Sequence, residues 1–302
     1  MSYSSNPFSI DRLALVGVGL IGGSLVQALK QHSAVKTVIG VDQNAKNLQQ
    51  ALDLRTIDEA TNDIAAAVNA ADIVVLATPV MTIERVLESI KPHLNAKTTI
   101  TDVGSVKGLV VDQAKHILGN QFPQFVPGHP IAGSENSGVL AAFPSLFEDH
   151  RVILTPTEET SVKAVEVTSN MWAATGAQVE LMPVEQHDKI LAVTSHLPHV
   201  LAYALMQFLN QQPDQQTYFR LAAGGLYDFT RIASSDPVMW RDICIGNKQH
   251  LSEQLRAFSK DLERFADLIE AEQSQPLEAS FTAAKEARTQ VASFRKYHKK
   301  RV

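Results

Sequence analysis

The chain has a single cysteine, Cys244, in 302 residues. That scarcity excludes an intramolecular disulfide framework and a cysteine-rich zinc site, and it suits a reducing cytoplasm. Positive charge is also in short supply. The 27 Lys and Arg stand against 32 Asp and Glu, and the formal net charge of −5 gives a general nucleic-acid role no electrostatic support. Long hydrophobic runs are missing, because Lys, Asp, His or Gln interrupts every apolar stretch before it reaches the length of a membrane span. Residues 1–10 are polar and short, unlike a signal peptide. No internal repeat or low-complexity segment is visible. What is present, 45% apolar and 20% charged residues, belongs to a globular chain long enough for two domains with separate cores.

The first half alternates strand and helix signals. Residues 13–16 are a short apolar run that stops at Gly17, and Gly17-Val18-Gly19-Leu20-Ile21-Gly22 follows at once, then Gly23-Ser24. Leu20, Leu25, Ala28 and Leu29 suit one face of a helix. Residues 35–41 are the next strand candidate, and Asp42 ends it 20 residues after Gly22. Each part has a use in dinucleotide binding. Gly17 allows a tight turn, Gly19 lets the backbone approach a pyrophosphate, and Gly22 lets helix and strand pack closely. The helix start at Leu20 and Ile21 offers free N–H groups and a positive dipole end to phosphates. Asp42 can accept from a ribose 2′-hydroxyl and would repel a 2′-phosphate, and no Arg follows it at 43–45, so NAD is expected over NADP. Residues 73–78 form a further strand that ends in Thr78-Pro79; this end can lie beside the nicotinamide, or Pro79 simply stops the strand. Residues 98–103 run into Asp102-Val103-Gly104-Ser105-Val106-Lys107, where Ser105 is placed to cap a helix starting near Val106. Residues 152–155 and 178–182 read as more strands, with a helix at 161–175 between them. The expected fold is α/β: a Rossmann-type, doubly wound, mostly parallel sheet over residues 1–182. Ligands of such sheets gather outside the carboxyl ends of the strands, where the Gly17 turn, Thr78, Ser105 and His129 would meet.

The stretch Gly128-His129-Pro130-Ile131-Ala132-Gly133-Ser134-Glu135-Asn136-Ser137-Gly138 shows no period of 2 or 3.6 and reads as a loop rich in acid/base groups. After Pro183 the strand signals stop. A helix over 184–210, bent at Pro198, is followed by a polar break at 211–214 and by helices near 236–273 and 276–297. Their heptad-like apolar positions lack partners within so small a domain, which predicts homodimerisation through a helical domain at 183–302. His187 and Ser195-His196-Leu197-Pro198-His199 form one polar cluster. His196 and His199 have no third ligand at metal spacing, so no metal is expected. Arg231, in the stretch from Asp228 to Asp242, is a candidate bidentate clamp for a carboxylate, or else a partner of Asp228 or Asp236. The basic residues 295–301 read as a solvated helix end or a linker.

From about residue 13 to about residue 292 these segments resemble the prephenate dehydrogenase family, including its arogenate and cyclohexadienyl dehydrogenase relatives. The likeness rests on four motifs in order: Gly17-x-Gly19-x-x-Gly22-Gly23-Ser24, the Asp102–Lys107 hexapeptide, the Gly128–Gly138 stretch, and Ser195-His196-Leu197-Pro198-His199 followed by Asp228-Phe229-Thr230-Arg231-Ile232-Ala233. The resemblance implies NAD-dependent oxidative decarboxylation of prephenate to 4-hydroxyphenylpyruvate, or of arogenate to tyrosine, by a cytoplasmic enzyme with no nucleic-acid or membrane partner. It makes His129 the acceptor of the C4 hydroxyl proton, Ser105 a residue that helps hold that geometry, and Arg231 the binder of a substrate carboxylate. His199, Ser195, Ser134 and Glu135 match polar groups of the pocket, and Gly224 and Trp240 lie around its substrate side. A 3-hydroxyacid dehydrogenase would share the plan but use a lysine of the interdomain helix, and Lys189 lacks the glycine-rich setting such enzymes have. A non-catalytic NAD-sensing protein would not need His129, Ser105 and Arg231 together.

Overall fold

The computed structural model describes residues 8–134 and 136–299, with side chains described as far as residue 294. Glu135, the opening polar stretch up to residue 7 and the basic side chains from 295 onward lie outside the described residues. Six parallel strands, β1 (Ile10–Val16), β2 (Val35–Val41), β3 (Glu59–Thr61), β4 (Ile73–Leu76), β5 (Thr99–Asp102) and β6 (Phe125–Val126), pair in the order β3-β2-β1-β4-β5-β6. The intervening helices are α1 (Leu20–Gln31), α2 (Ala45–Asp53), α3 (Ile64–Asn69), α4 (Ile83–Ile90) and α5 (Gly108–Leu118). The period of two along each strand sorts its side chains into two cores. Leu13, Leu15, Ile73 and Val75 join Leu25 and Leu29 of α1 on one face. Ala14, Val16, Val74 and Leu76 join Ile83 and Leu87 of α4 and Val110 and Ala114 of α5 on the other. Burial on both faces is the reason these strands read as unbroken apolar runs, and each fully buried aliphatic side chain contributes about 1.5–3 kcal/mol.

A second sheet holds β7 (Gly128–Pro130), β8 (Arg151–Leu154) and β9 (Gln178–Leu181), with α6 (Val162–Ala173) between the last two. β7 runs antiparallel to β8 and places His129 opposite Ile153; β8 and β9 are parallel. Two expectations change here. The strands near 152 and 178 exist but belong to this small sheet, not to the large one. The segment read as a loop also opens with a strand, because three residues that start in glycine and end in proline carry too little alternation to register as one.

The second half is helical, as its pattern predicts. α7 (Val184–Leu191) and α8 (Leu197–Asn210) are joined without a break by a π turn at Ala192–His196. The distortion falls just before Pro198, whose missing N–H and bulky ring disrupt the preceding turn. Then come α9 (Gln215–Arg220), α10 (Gly224–Thr230), a 3₁₀ turn at Arg231–Ser234, and α11 (Pro237–Gly246). Asp236 caps α11 by accepting from the Met239 N–H at 2.8 Å, with proline in the first helical position. The single helix expected over 236–273 is two, since Asn247 ends α11 before α12 (Lys248–Glu270) begins; α13 (Ser274–Lys299) follows. The described chain folds as two compact units that divide after Lys248. Within the second unit Leu262, Ile269, Phe281 and Val291 are more than half exposed. No helix among the described residues is long and apolar enough to cross a membrane.

Candidate active site

The turn after β1 is built so that only glycine fits at two positions and a ligand fits at a third. Gly17 has φ +93°, and a Cβ there would lie 2.6 Å from the Ala77 carbonyl oxygen. At Gly22 a Cβ would meet the Gly17 carbonyl oxygen and Leu15 Cδ1 at 2.8 Å. Gly19 differs: nothing lies within 4 Å of the position its Cβ would take. This open cradle sits at the start of α1, which has no side-chain cap and no acidic residue in its first turn. The N–H groups of Leu20 and Ile21 therefore have no partner within the helix and suit an anion. Asp42 directly follows β2. Its Oδ2 accepts from the Val18 N–H at 3.1 Å and from Asn47 Nδ2 at 2.9 Å, and its Oδ1 from the Asn44 N–H at 2.8 Å. Asp42 thus braces the glycine turn, helped by Asn47, which sequence reasoning missed. Thr78 follows β4, and its Oγ1 is buried with no hydrogen-bond partner among the described residues. Pro79 is exposed and starts the short turn at Val80–Thr82, against which α11 packs. The open cradle, the uncapped helix start, the carboxylate at the end of β2 and the orphaned hydroxyl together fit NAD.

A buried polar network holds His129. Asp102 ends β5; its Oδ1 accepts from the Gly128 N–H at 3.2 Å, and its Oδ2 accepts from the Gly104 N–H at 2.8 Å and pairs with Lys107 Nζ. Lys107 also donates to the Gly128 carbonyl at 2.7 Å, so the ion pair grips both backbone groups of the residue before His129. Both side chains are fully buried. Burial pushes the Lys107 amine below its ordinary value, and Asp102 opposes that shift. The His129 Nδ1 lies 2.9 Å from His187 Nε2, and His187 Nδ1 lies 2.7 Å from Asp188 Oδ1. Burial drives the His129 pKa well below 6.5, and His187, Lys107 and His196 push it the same way. His187 is lowered as well, chiefly by burial. For Asp188 burial would raise the pKa, but His187 and the N–H groups of Lys107 and Gly108 outweigh it and keep the carboxyl below its ordinary value.

Ser105 does not cap the helix that follows it. α5 begins only at Gly108 and has no capping side chain at its first position. The donors at its start are met from α7 instead: Asp188 Oδ1 accepts from the Lys107 N–H at 2.9 Å and Asp188 Oδ2 from the Gly108 N–H at 2.7 Å. A local capping signal cannot reveal an acceptor some eighty residues away. Ser105 itself is half-buried in the connector between β5 and α5.

A second cluster gathers on α8 and α11. Ser195 lies in the π turn, and its carbonyl accepts from His199 Nδ1 at 2.9 Å. The His199 ring stacks on the Trp240 indole, with centroids 3.6 Å apart and planes 19° from parallel. His196 is fully buried, and burial pushes its pKa down to about 4. Asn247 links the clusters: its Nδ2 donates to the Asp188 carbonyl at 2.8 Å and lies 3.1 Å from His196 Nδ1. The Trp240 Nε1 and His196 Nε2 are buried without a hydrogen-bond partner among the described residues. Arg231 is exposed where α10 passes into its 3₁₀ turn, and both pack against α8. Gly224 opens α10 and is exposed, and the exposed Ser134 accepts from the Asn136 N–H at 3.2 Å. The Gly17 turn, Thr78 and Ser105 follow the carboxyl ends of three neighbouring strands, and Asp102 ties His129 to that edge. Sequence reasoning gave Lys107, Asp188 and Asn247 no role, although Lys107 closes the Asp102–Lys107 motif and Asp188 lies beside His187. No group of three His, Cys, Asp or Glu suited to a metal occurs among the described residues.

A sheet in this strand order, its glycine turn and the acid after β2 define a dinucleotide-binding fold, and the buried histidine tied to its carboxyl edge adds the acid/base group that an NAD-dependent dehydrogenase uses. Residues 25–181 match the family described as prephenate dehydrogenase, nucleotide-binding domain, and residues 183–283 match prephenate dehydrogenase, dimerization domain. The chain is 38% identical to prephenate dehydrogenase of Bacillus subtilis over 92% of its own length and 75% of that protein. It is 37% identical to cyclohexadienyl dehydrogenase of Zymomonas mobilis, covering 91% of this chain and 94% of the relative. The crystal structure of prephenate dehydrogenase from A. aeolicus in complex with hydroxyphenyl propionate and NAD+ superposes with a TM-score of 0.88 at 37% identity, covering 94% of this chain and 99% of the other. The chain belongs to the prephenate dehydrogenase family.

Proposed function

We propose that this enzyme of tyrosine biosynthesis oxidatively decarboxylates prephenate, arogenate or both, with His129 as the acid/base group. The observation that carries this reading is a buried histidine kept neutral at the edge where the Gly17 turn opens. Bound NAD supplies the hydride acceptor. As the C4 hydrogen leaves with its electron pair, His129 takes up the C4 hydroxyl proton. The C1 carboxylate departs as carbon dioxide, its bonding pair enters the ring, and the proton returns from His129 to the phenol oxygen. Aromatisation supplies the driving force, so the residues mainly orient the substrate and hold one proton. Ser105 helps to set that geometry. Arg231 binds a substrate carboxylate, a contact suited to a bidentate guanidinium. His199, Ser195, Ser134, Gly224 and Trp240 serve the substrate side, and Glu135, which lies outside the described residues, is assigned there by the family resemblance alone. Gly17, Gly19, Leu20, Ile21, Gly22, Asp42, Thr78 and Pro79 hold the cofactor. The division of labour falls at 182/183, with cofactor binding before it and the helical, dimer-forming part after it; the location is cytoplasmic.

Appearance of NADH absorbance on adding prephenate or arogenate tests the activity, and silence with both overturns it. Parallel rates with NADP test the role of Asp42. His129→Asn is expected to lower kcat about 10²- to 10⁴-fold, the usual worth of general base catalysis, with little change in KM. A kcat like that of the wild type would sink the assignment of His129.

A further inference from the structure

The Asp188 side chain accepts three hydrogen bonds in the buried network, as many as Asp102, yet it stands two residues removed from the reacting atoms. Its Oδ1 accepts from His187 Nδ1 and from the Lys107 N–H, its Oδ2 from the Gly108 N–H, and its own carbonyl from Asn247 Nδ2. We propose that Asp188 is a positioning residue that acts through His187 to fix the tautomer of His129, so that Nδ1 carries the proton and Nε2 is the bare acceptor. The proposal rests on the reading of His129 as the base.

Donors and acceptors must alternate along this chain of three side chains. An ionised carboxylate can only accept, so His187 Nδ1 must bring the proton to the 2.7 Å contact with Asp188. A neutral imidazole has one N–H, so His187 Nε2 is then a lone pair. Across the 2.9 Å contact His129 Nδ1 must therefore donate. His129, also neutral, is left with its lone pair on Nε2. The directions of the pKa shifts agree, since His129 and His187 are pushed toward the neutral form and Asp188 toward the ionised one. Without the carboxylate nothing sets the polarity of the chain, and either imidazole could turn its proton to the other nitrogen. The same carboxylate closes the start of α5, three residues beyond Ser105, so one group sets both the proton on His129 and the connector that carries Ser105.

The test is Asp188→Asn together with a pair of changes at His187. Asparagine keeps the shape and one acceptor for α5 but offers an amide N–H to His187 Nδ1, which reverses both imidazoles and puts the proton on His129 Nε2. The expected result is a kcat about 10²- to 10⁴-fold lower, the scale of a lost general base, with KM for NAD and for the organic substrate little changed. Glutamine at 187 can donate to Asp188 through its amide nitrogen and accept from His129 through its oxygen. His187→Gln should therefore keep at least about tenfold more activity than His187→Leu, within the range that general base catalysis spans. This pair carries the test if Asp188→Asn fails to fold. Nitrogen-15 NMR of labelled protein, with His129 assigned by its loss in His129→Asn, reads the tautomer without catalysis. Protonation at Nδ1 in the wild type and at Nε2 in Asp188→Asn supports the proposal. A wild-type proton on Nε2, or equal activity of the two His187 variants, overturns it. Full activity in His129→Asn would instead remove the base from the reaction and leave the tautomer readout standing.

Discussion

A histidine with an ordinary pKa of 6.5 would lose its function as a base just below neutrality. Burial and the neighbouring His187, Lys107 and His196 all push His129 lower. The acid limb of kcat/KM should therefore fall at a pH clearly below 6.5, as initial rates across pH will show; a limb at or above that value would contradict a buried, neutral base. Arg231→Gln should chiefly raise KM, by the loss of a charge-assisted contact worth about 2 to 4 kcal/mol. An unchanged KM in steady-state kinetics would mean that another group holds the carboxylate. At this scale the sequence was a partial guide. His129 stands out by its company of glycine, proline and hydroxyl residues. Ser105 was given a capping role that Asp188 performs, because a serine before a helix is a local sign and its competitor came from a different helix.

The glycine turn allows a prediction that separates the folding use of glycine from its binding use. Gly17→Ala places a Cβ against the Ala77 carbonyl at a positive φ, and the backbone alone costs about 1–2 kcal/mol, so thermal unfolding should come markedly earlier. Gly19→Ala meets no protein atom within 4 Å and has φ −103°, which alanine adopts freely. Its melting temperature should match that of the wild type while KM for NAD rises; an unchanged KM would show that the backbone there does not approach the cofactor. Elements differed in how well they could be read. β1, β2, β4 and β5 are buried on both faces, so composition alone marks them. β7 has three residues and gains its structure only by pairing with β8. The π turn before Pro198 was visible as a disturbance, though its form was not.

For the molecule as a whole, the buried histidines link stability to pH. His196 has a folded pKa of about 4 against 6.5 unfolded, so between these values the unfolded chain binds more protons. Stability should therefore fall as pH drops from 6.5 toward 4, with His129, His187 and His199 acting in the same direction. Melting curves should show this slope, and His196→Gln should flatten it; a slope unchanged by that substitution would assign the loss to other groups. The exposed apolar side chains of α12 and α13 lie in and just beyond the segment that matches the family's dimerization domain. Sedimentation is expected to give twice the chain mass at micromolar concentration, and a monomer would count against the dimer. The alternating first half, the helical second half, the glycine turn with its acid and the candidate base were all legible in the order of residues. All of these rest on local backbone freedom and on the period of burial, which a short window of residues already contains. It took the folded chain to show that Lys107 and Asp102 grip Gly128, that Asp188 closes the start of α5, and that the His187 imidazole and the Asp188 carboxylate line up behind His129. Those contacts join residues up to 81 positions apart, and a hydrogen bond of that kind exists only once folding has brought its donor and acceptor out of water together.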